Sequence, residues 1–74
     1  MELKYIMFDE CLPVIFGEYF GHDNVKALGE PTSAGKLSIC FLSKSVQTYG
    51  QSLSLRLKPG SNDDAILTKL FFPL

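Results

Sequence analysis

The chain of 74 residues and 8.2 kDa sets seven Lys and Arg against eight Asp and Glu, with 46 % apolar and 20 % charged residues. Six Phe and three Tyr among many Leu and Ile exclude intrinsic disorder, and a net charge of −1 with a pI near 5.6 supplies no basic stripe for duplex nucleic acid. At this size folding buries only about 60 % of the unfolded surface, so a single domain over 1–74 is marginal alone, and a partner or self-association is expected.

The first segment, Leu3 to Phe8, is almost continuously apolar, with Tyr5 and Met7 on one side and Ile6 and Phe8 on the other. That pattern predicts a strand buried on both faces. Glu2, Lys4 and the following Asp9-Glu10 leave it too short for a signal-peptide core, and no run approaches the ~18 apolar residues of a membrane span. The expectation is a cytoplasmic protein without membrane contact. Cys11-Leu12-Pro13 reads as a turn and Val14-Ile15-Phe16 as a second strand ending at Gly17, so the first two strands form a hairpin.

His22, Asp23 or Asn24 can cap a short helix whose apolar side is Val25 and Leu28 and whose stop is Gly29. Glu30-Pro31-Thr32-Ser33-Ala34-Gly35 has turn composition and no period, which predicts a loop. From Lys36 the pattern is two-fold, with Leu37, Ile39 and Phe41 opposite Ser38 and Cys40, and Ser43-Lys44-Ser45 makes the next turn. Val46 to Tyr49 runs into Gly50, and Ser52 to Leu57 sets Leu53, Leu55 and Leu57 against Ser52, Ser54 and Arg56 as a half-buried strand. After Lys58-Pro59-Gly60, Ser61 or Asn62 caps a C-terminal helix. Asp63 and Asp64 there complement its dipole, Ile66, Leu67, Leu70 and Phe71 form its apolar side, and Asp64, Thr68 and Lys69 face water.

The resulting order, β-β-α-β-β-α, is an α+β fold with a mainly antiparallel sheet of four or five short strands, a short helix and a C-terminal helix packed on the Leu53, Leu55 and Leu57 face. The first strand needs cover on both sides, which a barrel-like curl of the sheet or a second subunit would supply.

Candidate chemistry is sparse. Gly29 to Lys36 looks like a phosphate-binding loop, but its glycines are one residue too far apart, Leu37 stands where Ser or Thr holds the metal, and a strand follows. His22 with Asp23, Asp9, Glu10 and Glu18 lacks metal-ligand spacing, and Cys11 with His22 as its base lacks an oxyanion hole. Neither catalytic residues, a metal nor a cofactor are expected. Cys11 and Cys40 are expected as free thiols.

Two surfaces remain. Tyr49, Ser52, Ser54 and Arg56 share a predicted exposed strand face, suited to a protein contact or, in a second reading, to a small ligand or single-stranded nucleic acid. Tyr19, Phe20, Phe71, Phe72 and Leu74 either close the ends of the core or form an aromatic interface.

Ser33-Ala34-Gly35, Tyr49-Gly50-Gln51-Ser52-Leu53-Ser54-Leu55 and an Asp63 or Asp64 before an apolar helix resemble the pattern of small accessory proteins carried by bacteriophages and prophages. The resemblance spans residues 3–70 and transfers no catalytic residue. It implies a protein that binds and blocks or redirects a host protein such as a defence enzyme; the missing catalytic constellation and the two-sided apolar first strand add the expectation of a non-enzymatic, self-associating interaction module.

Overall fold

The computed structural model describes residues 3–17, 19–22 and 29–73. Four strands, β1 (Leu3–Phe8), β2 (Leu12–Gly17), β3 (Pro31–Cys40) and β4 (Ser45–Tyr49), precede one helix, α1 (Asp63–Phe71). The sheet has the order β2-β1-β3-β4 with every neighbouring pair antiparallel, so the chain is α+β as expected. It does not close into a barrel: β2 and β4 are its edges. The predicted short helix falls largely on residues 23–28, outside the described residues.

β1 and β2 form the predicted hairpin, but its turn lies at Asp9-Glu10 and not at Cys11-Leu12-Pro13: Leu12 and Pro13 already pair with Phe8 and Met7 and open β2. Asp9 and Glu10 both adopt left-handed backbone, with φ of 53° and 62°, and Cys11 N–H donates to Phe8 O at 3.1 Å. This is a type I′ turn, whose twist matches that of the flanking strands. Pro13 sits on an edge strand, where its missing N–H interrupts no central ladder.

The segment predicted as a loop before Lys36 is instead the first half of β3. Ser33, Ala34 and Gly35 are buried there, and a Cβ on Gly35 would stand 2.8 Å from the carbonyl oxygen of Tyr49 and 3.0 Å from Pro59 Cγ. Small residues that read as turn composition are here the sizes a crowded central strand accepts.

The predicted strand over Ser52 to Leu57 is a second correction. Ser52 and Leu57 exchange one bridge, with N···O distances of 2.8 and 3.1 Å, and the chain between them turns through a left-handed Arg56 (φ 57°). The three leucines consequently part company: Leu53 is 79 % exposed, while Leu55 and Leu57 pack under the sheet.

Burial of β1 on both faces holds: Tyr5, Ile6, Met7 and Phe8 are all buried. Neither a barrel nor a second subunit is needed to cover them. On one face α1 lays Leu67, with Ile66 and Phe72, over Tyr5, Met7, Leu37 and Val46. On the other, Leu55 and Leu57 fold back over Ile6, Phe8 and Ala34, beside Val14 and Phe16. The helix therefore lies on the opposite side of the sheet from these leucines, contrary to the sequence reading. The alternation of Leu3 to Phe8 demands two covers, but only the three-dimensional path of residues 50–60 provides the second.

Candidate interaction surface

α1 also closes one edge of the sheet. Thr48 N–H donates to Asp64 Oδ1 at 2.8 Å, and Val46 N–H donates to Thr68 Oγ1 at 2.9 Å. Four helical residues advance about 6 Å and two strand residues about 7 Å, so side chains at i and i+4 of the helix can meet alternate amides of β4. Asp64 and Thr68, which the amphipathic reading turned to water, thus occupy the place of a next strand and protect the edge.

This docking places the end of α1 beside the β3–β4 turn. Residues 41–44 form that turn, with Lys44 left-handed at φ 52° and the Ser43 and Ser45 hydroxyls 2.7 Å apart. Phe72 N–H closes the last helical turn on Thr68 O at 2.8 Å, and the Phe72 ring meets Phe41 edge-on at 5.9 Å. Lys69 lies in the last turn, favourable at the negative end of the helix dipole.

The apolar side chains here are not all absorbed by the core. Phe41 is 75 % and Leu42 99 % exposed, and Leu70 and Phe71, from the predicted apolar side of the helix, are exposed as well. Phe41 and Leu42 alone present on the order of 300 Å² of apolar surface, comparable to the largest patch on many monomers. Beside them runs a groove of about 570 Å³ lined by Lys44, Thr68, Lys69, Phe71, Phe72 and Pro73. The result is an aromatic tip carrying two ammonium groups.

Only Phe71 and Phe72 of the predicted interaction residues belong to this tip. Tyr49, 45 % exposed, lies at the far end of β4, and Ser54 and Arg56 are exposed in the turn beyond it. Ser52 is 2 % exposed and presents nothing to a partner. Leu74 lies outside the described residues, whereas Tyr19 and Phe20 are exposed after β2. The two predicted surfaces thus lie toward opposite ends of β4, and the strand-face one loses Ser52 to the interior. Phe41 and Leu42, the most exposed members of the tip, went unselected because the two-fold pattern counts Phe41 as a strand residue. Their signal was two large apolar residues immediately before a turn.

The polar cluster best placed for chemistry is internal. Asp63, buried at the first position of α1, accepts hydrogen bonds through Oδ2 from Tyr5 OH at 2.6 Å, Ser33 Oγ at 2.6 Å and Gly60 N–H at 2.8 Å. Burial, and then the Asp63 carboxylate itself, push the Tyr5 phenol well above its ordinary range. With three donors on one oxygen, Asp63 ties the start of α1 to β1 and β3, and Ser33 has a carboxylate but no imidazole beside it.

His22 is buried elsewhere, with Nε2 3.0 Å from Gly35 O and its ring edge-on to Phe16 at 5.3 Å. Gly35 is level with Tyr5, whereas Cys11 follows Phe8, about 10 Å further along β1. The arrangement separates the imagined thiol and base. Among the described residues no group of three or more His, Cys, Asp and Glu is placed to hold a metal ion. Cys11 and Cys40 are free, as expected, and both are exposed. The Ser43 hydroxyl, then the Ser43 and Leu42 backbone amides, hold the Cys40 thiol below its ordinary range.

No helix of the described residues is long and apolar enough to cross a membrane. Comparison with known proteins finds no matching family model, no similar curated protein and no similar solved structure.

Proposed function

We propose that the protein is a non-enzymatic, self-associating interaction module that works by presenting the tip formed by the β3–β4 turn and the end of α1 to another protein. The observation that carries this reading is the joint exposure of Phe41, Leu42 and Phe71 beside a groove lined by Phe71 and Phe72. Large apolar side chains left in water at one end of a small domain cost solubility, and an interface is the usual reason for keeping them. The engagement of His22 with Gly35 and of Asp63 with three donors supports a binding role over a catalytic one. A role in binding and redirecting a host protein, as the phage-protein resemblance implies, would use the same tip.

Light scattering over a hundred-fold concentration range tests the reading. The parent protein should gain mass with concentration, and Phe41→Ser/Leu42→Ser should stay at the 8.2 kDa of one chain while keeping its far-ultraviolet circular dichroism. A parent protein that remains monomeric, or a double variant that still associates, refutes self-association through the tip.

A further inference from the structure

Among the described residues, exposed side chains of opposite charge stand at the two ends of β3. At one end, Asp9, Glu10 and Glu30 are all exposed around the β1–β2 turn. At the other, Lys44 and Lys69 flank the aromatic groove. β3 connects the two ends with ten residues, about 30 Å of strand, against a longest molecular extent of 32 Å. Lys58, beside Ala34, lies on the flank of the acidic half.

The acidic end is braced. Asp9 N–H donates to Glu30 O at 2.8 Å, and Glu30 N–H returns a bond to Asp9 Oδ1 at 3.0 Å. Glu10 N–H donates to Thr32 Oγ1 at 3.0 Å, and Thr32 in turn donates to Met7 O at 3.2 Å. These bonds use backbone groups of Glu10 and Glu30 and leave their carboxylates in water. Leu12, 45 % exposed, stands directly after the turn. The knob therefore offers an apolar side chain and free carboxylates on a braced backbone, the inverse of a groove with an aromatic floor and two ammonium groups.

We infer that the groove at the tip takes the Asp9 to Leu12 turn of a second copy of this chain, so that copies associate head to tail. Leu12 seats against Phe71 and Phe72, and Glu10 and Glu30 face Lys44 and Lys69. The inference rests on the self-association proposed above and specifies its geometry. Because the two contacting surfaces are different and lie at opposite ends, the contact is heterologous and leaves a free knob and a free groove on every assembly, so growth does not stop at two. It also depends on exposed charge pairs, which salt screens.

Three proteins test this: the parent, a groove variant Lys44→Glu/Lys69→Glu and a knob variant Glu10→Lys/Glu30→Lys, each checked for native circular dichroism. In light scattering the parent should pass beyond twice the single-chain mass with rising concentration. Raising salt from 0.05 to 1 M should weaken association about tenfold. Each variant alone should be monomeric, and mixing the two should restore association, because each supplies the charge sign the other lacks. A knob variant that associates like the parent, while Phe41→Ser/Leu42→Ser abolishes association, overturns the head-to-tail contact and leaves tip-mediated self-association standing. A parent that stops at a dimer also overturns it, since a closed pair is the mark of an identical patch on both copies. A parent monomeric at every concentration overturns both.

Discussion

Replacing Asp63 with Ala removes the acceptor on which three donors converge, and the consequence can be worked from those contacts. Tyr5 is fully buried and Ser33 nearly so, whereas Gly60 is only half-buried and can turn its amide toward water. Two buried hydroxyls thus lose their carboxylate acceptor at about 1–3 kcal/mol each, less at Tyr5 where the Thr48 side chain is a second neighbour, and partly offset because the carboxylate need no longer be desolvated. A loss of about 3 kcal/mol is expected. For a domain of this length, with total stability of about 4–11 kcal/mol, that is a large fraction. Urea unfolding followed by circular dichroism, with a slope of about 1 kcal/mol per molar, should show the midpoint falling by about 3 M.

The cycle with Tyr5→Phe is sharper. In the parent, Tyr5→Phe deletes a bond to a carboxylate and should cost about 1–2 kcal/mol. In the Asp63→Ala background the same change removes a hydroxyl that has lost its carboxylate acceptor and should be neutral or stabilising. Equal costs in both backgrounds, or an Asp63→Ala protein within about 1 kcal/mol of the parent, would refute the view that this carboxylate pins α1 to the sheet.

Other consequences follow from the same structure. The Tyr5 phenol is raised above the value of about 10 that it has in the unfolded chain, so the native state keeps a proton that the unfolded state releases; stability is intact below that pH and falls above it by about 1.4 kcal/mol per pH unit. Denaturant titrations between pH 8 and 11 should show this slope in the parent and a smaller one in Tyr5→Phe. Because Cys40 is held below the ordinary thiol range, its alkylation rate should level off at lower pH than that of a model thiol, and Ser43→Ala should move the midpoint back up; an unmoved midpoint would remove the hydroxyl as the cause. Gly35→Ala drives a methyl into the Tyr49 carbonyl oxygen and Pro59, and should cost about 1–3 kcal/mol by thermal unfolding, whereas Gly17→Ala meets nothing within 4 Å. A Gly35→Ala protein with unchanged melting temperature would contradict the crowding at β3.

Much of the sheet was legible in the chain itself. Leu3 to Phe8 reads as a strand with two apolar faces, a second apolar run after Pro13 signals a hairpin although its turn falls at Asp9-Glu10 and not at Cys11-Leu12-Pro13, and the acidic start and apolar spacing of residues 63–71 specify a helix. Each of these is a local preference, readable because the residues that express it are neighbours in sequence. The features that were misread depend on residues distant in the chain. Small size at Ser33, Ala34 and Gly35 means a turn to the sequence and a close approach to the structure, since Tyr49 and Pro59 do the crowding. The alternation from Ser52 to Leu57 is satisfied equally by a strand or by a bridged turn that sends Leu53 outward and Leu55 and Leu57 under the sheet. The candidate site is of the second kind throughout. Residues 41–44 and 69–73 become one tip because α1 bonds along β4 through Asp64 and Thr68, and that register is a matter of tertiary geometry. Composition and periodicity determine which residues seek a core; only the path of the whole chain decides which of them, here Phe41, Leu42, Leu70 and Phe71, are left in water.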